Sequence, residues 1–238
     1  MAARILDIET ATHTCSVALS YGEKLISFQE SHIDKSHASL LTVFIEDMFR
    51  ETGLTAAGLD AVSVSMGPGS YTGLRIGVSV AKGLAYSLGI PLIAVPTLKS
   101  MALGFLKKLE IDNSKDNAFL LCPMIDARRM EVYLSMYDSK LETVLDTTAL
   151  IIDENSFEKE LKSREIYFFG TGAQKCESLI NRKNFYFSPD FLNSSKDMIP
   201  LALEKYKRKE FVNLAYFEPY YLKDFIATTP KNKILGSF

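Results

Sequence analysis

A glycine-rich loop that follows a strand pattern is the first feature of this sequence suited to phosphate chemistry. It contains Gly67, Gly69 and Gly73, followed by Leu74 and Arg75. A Walker-type loop needs the spacing GxxxxGK[ST], because backbone amides surround the phosphates while the lysine reaches the terminal one. A dinucleotide-binding loop reads GxGxxG and is followed about 20 residues later by an acidic residue. This loop reads GxGxxxG without the lysine, and residues 61–109 contain no acidic residue, so both nucleotide motifs are excluded.

The helix predicted behind the loop, residues 71–88, favours protein contact over nucleotide binding. Gly73, Gly77 and Ala81 recur every four residues and form a ridge with almost no side chain. Glycine inside a helix costs about 1 kcal/mol relative to alanine, so close approach of another backbone is the expected compensation. That backbone is either the chain's own sheet or a second protein. Because this helix and the preceding one at residues 36–53 are both apolar on several sides, a partner face is favoured.

The pattern of secondary structure predicts an α/β fold in which three strands followed by alternating helices and strands occur twice. A polar stretch at residues 110–117 predicts a hinge between two lobes, and a second set of strands begins after it. We therefore expect lobes at residues 1–110 and 111–238, each a mixed sheet with packed helices. The last helix and the tail are expected to pack back on the first lobe.

Composition limits the classes of partner that the chain can have. Its 238 residues carry a formal net charge of −2, which argues against long-range capture of nucleic acid or anionic membrane. The three cysteines form no CxxC pair, as is typical of free thiols in a reducing compartment. The first residues lack the pattern of a signal peptide, and no apolar run reaches the ~20 residues that span a bilayer. We expect a cytoplasmic protein without membrane association.

Five segments resemble the TsaB (YeaZ) family in order and spacing, from about residue 4 to residue 224. They read ILDIETATHTCSVAL, HASLLTVFIEDMF, SMGPGSYTGLRIGVSVAKGLA with IPLIAVPTL, IDARRMEVY and EPYYLKD. The glycine loop with its helix and the IDAR…EVY segment are the most specific parts. The resemblance implies a two-lobed fold of the actin/Hsp70/sugar-kinase (ASKHA) class. It also implies a bacterial role in making threonylcarbamoyladenosine at the tRNA adenosine next to the anticodon.

In this family the protein is a non-catalytic subunit that pairs with the catalytic protein TsaD, and the ATPase TsaE joins them. The subunit forms a homodimer when alone, and tRNA is contacted only indirectly or weakly. Both the TsaD contact and self-pairing use the two apolar helices described above. The resemblance therefore places the partner interface at His37, Leu40, Leu41, Phe44, Ile45, Met48, Gly73, Arg75, Ile76, Gly77, Val80, Ala81 and Leu84.

The resemblance also implies that the chain has no catalytic residues, metal or cofactor. The catalytic relative carries an HxxxH metal motif, in which two histidines one helical turn apart present both rings to one ion. The matching positions here are Thr97 and Met101, which cannot replace imidazole as ligands.

One alternative function is a stand-alone ATP-dependent phosphotransferase of the same fold. Asp7, Thr10 and Thr12 lie where kinases of this class hold their first phosphate loop. An aspartate there can position Mg²⁺ through water while the turn amides meet a phosphate. A satisfied hairpin turn is the favoured interpretation, since Glu9 places a carboxylate where the phosphate would approach.

Two charged groups remain in the second half of the chain. Asp126, Arg128 and Glu131 are predicted to form an ion pair that fixes a hairpin. A solvated helix face is favoured over contact with tRNA phosphates for the basic residues Lys205, Lys207, Arg208, Lys209 and Lys223.

Overall fold

The computed structural model of the protein describes residues 2–33, 36–109, 119–157 and 164–223. Within these ranges the chain forms ten strands and five α-helices. In order they are β1 (Arg4–Glu9), β2 (Cys15–Tyr21), β3 (Lys24–Ser31), α1 (His37–Thr52), β4 (Ala61–Ser65), α2 (Tyr71–Leu88), β5 (Leu92–Val95), α3 (Thr97–Lys108), β6 (Phe119–Asp126), β7 (Glu131–Tyr137), β8 (Thr143–Ile151), β9 (Glu165–Phe169), α4 (Ala173–Ile180), β10 (Phe185–Ser188) and α5 (Ile199–Arg208).

The strands form two five-stranded mixed sheets of the same topology. The first has the order β3-β2-β1-β4-β5, and the second has the order β10-β9-β6-β7-β8. In each sheet the first three strands along the chain pair antiparallel, and the next two join in parallel beside the first. The predicted α/β fold with a repeated mixed sheet is therefore confirmed.

The alternation of side chains along β1 decides what each face of the first sheet presents. Leu6 and Ile8 are buried in the core that β1 shares with α1 and α2. Because successive side chains of a strand point to opposite faces, Asp7 and Glu9 point to the other side of the sheet. A strand with two buried carboxyl groups is unusual, since buried charges normally require a partner.

Two helices, α3 and α5, each pack on a sheet whose strands are not their nearest neighbours in sequence. Met101 and Phe105 of α3 pack with Phe169 in the core of the second sheet. Ala202 and Leu203 of α5 pack in the core that lies on β1 and β5 of the first sheet. The last helix thus returns to the first sheet, and the predicted hinge at residues 110–117 lies outside the described residues.

The ends of the first two helices follow their capping residues. Gly53 ends α1 in the left-handed conformation, with φ of 66°. Ser70 precedes α2, and its hydroxyl accepts a hydrogen bond from the backbone N–H of Gly73 at 3.2 Å. Both boundaries confirm the prediction. Residues 154–157 form a turn after β8.

No helix in the described part of the chain combines the length and apolar character needed to cross a membrane.

Candidate protein-interaction site

The inner side of α1 is filled by the chain itself. His37, Leu41, Ile45 and Met48 are buried, and the Nε2 atom of His37 lies 3.1 Å from the carbonyl oxygen of Thr14. All four were expected at a partner interface. The structure corrects this, because side chains enclosed in their own lobe do not form its outer surface.

The small-residue ridge of α2 also faces inward. A Cβ atom at Gly73 would lie 2.2 Å from the carbonyl oxygen of Thr10, and one at Gly77 would lie 2.2 Å from the Oγ1 atom of Thr10. Ala81, the next residue of the ridge, is fully buried. The sequence left open whether the ridge packs on its own chain or on a second protein, and in the structure it packs on its own chain. The prediction that Gly73, Gly77 and Ala81 contact a partner is therefore corrected.

The apolar predicted residues that remain form an outer surface together with Val43, which was not among the predicted contacts. Side chains four residues apart lie on one side of a helix, so α1 and α2 each present a strip, and the two helices are in contact. Val43 of α1 is 44% exposed, and the other members are half-buried. We call this surface the α1–α2 face and define it as Leu40, Val43, Phe44, Ile76, Val80 and Leu84. Apolar strips that remain accessible on neighbouring helices suit the core of a protein–protein contact.

Another flank of α2 is covered by the tail, the chain after α5. The Nζ atom of Lys82 donates to the carbonyl oxygen of Phe217 at 3.1 Å. The backbone N–H of Tyr220 donates to the carbonyl oxygen of Met66 at 2.7 Å. Arg75 lies seven residues before Lys82, on this flank and outside the α1–α2 face. The tail therefore accounts for part of the apolar surface that the sequence assigned to a partner.

The turn between β1 and β2 brings the proposed phosphate-loop residues together but encloses them. Asp7 and Thr10 are fully buried, and Thr12 is 7% exposed. The hydroxyl of Thr12 donates to the Oδ1 atom of Asn193 at 2.6 Å, and this contact closes the turn from outside. A phosphate loop must be open to solvent, so this conformation does not offer one.

The electrostatics of the β1–β2 turn also oppose phosphate or Mg²⁺ binding. Burial raises the pKa of Asp7 to about 8, although the Ser63 hydroxyl donates a hydrogen bond to it. Burial likewise raises the pKa of Glu9, whose Oε1 atom accepts a hydrogen bond from the N–H of Ala11 at 2.6 Å. Burial favours the neutral form of both carboxyl groups. Neutral carboxyl groups are poor ligands for a hard cation, so the turn fits a structural role.

The two positions that match the metal motif of the catalytic relative have structural contacts. The Thr97 hydroxyl accepts a hydrogen bond from the N–H of Gly67 at 3.1 Å, and Met101 is buried in the second core. Across the ranges that the structure describes, no group of three or more His, Cys, Asp or Glu side chains is arranged to hold a metal.

The turn between β6 and β7 differs from the predicted ion pair. Asp126 pairs with Lys175 at 2.5 Å, and Glu131 pairs with Lys223 of the tail. Arg128 takes part through its backbone: its N–H donates to the Oδ1 atom of Asp126 at 2.7 Å, and its carbonyl oxygen accepts from the N–H of Glu131 at 3.2 Å. The predicted hairpin is present, but lysines from other parts of the chain neutralise its carboxylates. The signal for this was weak, because both lysines lie more than 40 residues away in sequence.

The repeated sheet order and its packed helices define a two-lobed α/β protein of the actin/Hsp70/sugar-kinase class. A family model described as "TsaD: tRNA N6-adenosine threonylcarbamoyltransferase" matches residues 30–231. The tRNA threonylcarbamoyladenosine biosynthesis protein TsaB of Escherichia coli is 30% identical over 94% of this chain and 96% of its own length. The protein of the same name from Bacillus subtilis is 32% identical over 76% of this chain and 78% of its own.

A solved structure gives the same result in three dimensions. YeaZ from Pseudomonas aeruginosa superposes with a TM-score of 0.80 at 26% identity, over 92% of this chain and all of that one. The chain belongs to the TsaB (YeaZ) family, within the wider family that the TsaD model describes.

Proposed function

We propose that this chain is a non-catalytic scaffold subunit in the biosynthesis of threonylcarbamoyladenosine on tRNA. In this proposal it binds TsaD, and through TsaD the ATPase TsaE, in the complex that modifies N6 of the adenosine next to the anticodon. The α1–α2 face is the TsaD contact. The three cysteines are buried and free, which agrees with a place in the cytoplasm.

The observation that carries the proposal is the contrast between the α1–α2 face and the enclosed β1–β2 turn. The face keeps apolar side chains accessible on two adjacent helices, while the turn buries the residues that a phosphotransferase would need. A standard protein interface buries roughly 800 Å² on each partner, which two helical faces can supply. The names of the relatives in Escherichia coli and Bacillus subtilis support the pathway.

Co-purification with TsaD tests the proposed contact. Val43→Asp places a charge on an exposed position of the face, and Val80→Asp places one at its half-buried centre. Each should reduce recovery of TsaD at least about tenfold, because an unpaired charge in an apolar interface costs more than 1.4 kcal/mol. Val144→Asp is the matched control, since Val144 is 46% exposed on β8 of the second sheet. Equal recovery with all three variants would refute the assignment.

The same face accounts for the proposed homodimer in the absence of TsaD. Light scattering on the purified chain should give twice the monomer mass, and Val43→Asp should return it to the monomer mass at the same concentration. A dimer that persists in Val43→Asp while recovery of TsaD is lost would place the two contacts on different surfaces.

The alternative function is an ATP-dependent phosphotransferase. The closed β1–β2 turn argues against it, because the residues that would hold the phosphate are buried. Calorimetry with Mg-ATP on the isolated chain distinguishes the two functions. Binding tighter than about 100 μM together with hydrolysis would favour the enzyme, whereas the scaffold proposal expects neither.

A further inference from the structure

A second surface is formed where the tail packs on a flank of α2, and residues of both segments contribute to it. The rings of Tyr71 and Tyr221 lie 5.0 Å apart between centroids, and the guanidinium of Arg75 lies 4.9 Å from the centroid of the Tyr71 ring. Arg75 is exposed, both tyrosines are half-buried, and the neighbouring Tyr220 is 41% exposed. The structure thus presents aromatic rings and a guanidinium together at the surface.

The tail connects this cluster to the second sheet. Lys223, two residues after Tyr221, pairs with Glu131 at the start of β7. Lys175 of α4 contacts the same turn: it pairs with Asp126 and donates to the carbonyl oxygens of Arg129 and Glu131, at 2.8 Å and 2.6 Å. The two carboxylates of the β6–β7 turn are therefore already neutralised by lysines.

Two arginines of this turn are left to face solvent. Arg128 and Arg129 are exposed and have φ of 70° and 52°, in the left-handed region. Of the ion pairs formed by residues that the structure describes, neither arginine takes part in one. A left-handed residue with a side chain costs about 1–2 kcal/mol, so glycine would suit the backbone at these two positions better than arginine does.

We propose that these residues bind a single-stranded segment of RNA directly. We call the surface the tyrosine–arginine strip and define it as Tyr71, Arg75, Arg128, Arg129, Tyr220 and Tyr221. Tyrosine rings stack on bases of any sequence, and guanidinium groups pair with phosphates, so a surface that carries both side-chain types suits an unpaired RNA strand. Two carboxylates of this region, Asp126 and Glu131, are paired with lysines, and Glu218 lies near Tyr221. The identification of the polyanion as RNA rests on the proposed function in tRNA modification.

Fluorescence anisotropy with a labelled tRNA anticodon stem-loop tests the strip, on the full chain alone and bound to TsaD. Arg128→Glu with Arg129→Glu should weaken binding at least about tenfold at low salt and reduce the slope against log salt by about 2. Tyr221→Ala should weaken binding about fivefold or more, with the salt slope unchanged, because stacking releases no counterions.

The control is Arg50→Glu with Arg208→Glu, which makes the same change in net charge. These two arginines are 68% and 64% exposed and lie on α1 and α5. The control should keep binding within about threefold of wild type, because it changes the net charge without changing any residue of the strip. Equal losses in both double variants, or no loss in either, would overturn the proposal.

Co-purification with TsaD separates this inference from the proposed function. The Arg128→Glu, Arg129→Glu variant should still recover TsaD in full. Loss of TsaD with retained RNA binding would identify the strip as a protein contact and overturn the RNA proposal. Loss of RNA binding in Val43→Asp alone would likewise overturn it, whatever becomes of the α1–α2 face.

Discussion

The β1–β2 turn and the β6–β7 turn occupy the same place in two sheets of the same order, yet their environments are opposite. Each follows a strand that carries an aspartate, Asp7 in the first sheet and Asp126 in the second. Asp7 is fully buried beside Ser63, whereas the side chain of Asp126 is 50% exposed and pairs with Lys175. One repeated backbone thus holds one turn that is part of the interior and one that faces solvent.

The difference shows how one sheet topology can support turns with different roles. In the first lobe the turn packs against the glycines of α2, and this packing helps to fix the helix that carries half of the α1–α2 face. In the second lobe the turn is held by lysines from α4 and from the tail, and its arginines remain accessible. Burial therefore supports a structural role for the first turn, and exposure supports a binding role for the second.

The largest expected effect tests whether Asp7 is held protonated. Burial raises the pKa of Asp7 from 3.8, the ordinary value for an aspartate, to about 8 in the folded protein. Its stabilising contribution is thus fully present below about pH 4 and is lost as the pH rises through about 8. Relative to Asp7→Asn, which stays neutral, wild type should lose up to about 1.4 kcal/mol of unfolding free energy per pH unit across that window.

Urea denaturation at about pH 5 and about pH 8 measures this difference. The matched control is Asp126→Asn, which changes the exposed aspartate of the second turn and should not reproduce the effect. Parallel stability curves for Asp7→Asn and wild type would mean that the first turn is open to solvent, and the comparison of the two turns would fail.

Substitution of two glycines within α2 tests the packing of the first turn. Gly73→Ala should destabilise the protein by about 2–3 kcal/mol, because the added Cβ meets a backbone oxygen that cannot move freely. Gly83→Ala should instead stabilise it by up to about 1 kcal/mol, since nothing lies within 4 Å of that position. Thermal and urea unfolding measure both variants, and a gain from Gly73→Ala would show that α2 stands away from the turn.

Local sequence signals predicted the elements and several of their ends. The family resemblance, not the spacing, gave most members of the α1–α2 face. The four-residue spacing of Gly73, Gly77 and Ala81 in α2 depends on residues close in sequence, and it is present in the structure. It could not divide the apolar residues of each helix between inner and outer sides, because periodicity alone does not show which neighbour covers a helix.

The sequence failed where the deciding contact is long-range. Thr10 fills the space beside Gly77, and Tyr220 bonds to Met66, across separations of 67 and 154 residues. No local pattern encodes such pairs.

A smaller effect is expected from the lysine that organises the exposed turn. Lys175→Met keeps the apolar stem but removes one ion pair and two hydrogen bonds to backbone oxygens. A loss of about 1–2 kcal/mol is expected, since hydrogen bonds from a charged group are worth more than neutral ones but this turn is partly solvated. Urea unfolding at neutral pH measures it. A loss as large as that of Gly73→Ala would mean that the two turns are equally integral to the fold.

The smallest expected effect has the opposite sign and bears on why Arg128 is there. Arg128 adopts φ of 70°, which glycine accepts without strain, so Arg128→Gly should raise the unfolding free energy by up to about 1 kcal/mol. Arg50→Gly is the control, because Arg50 lies in the last turn of α1, where glycine should cost about 1 kcal/mol. If Arg128→Gly is more stable than wild type but binds the anticodon stem-loop more weakly, the strained arginine is kept for contact with a ligand. If it is less stable, the side chain contributes to folding, and the exposed turn is closer in character to the buried one.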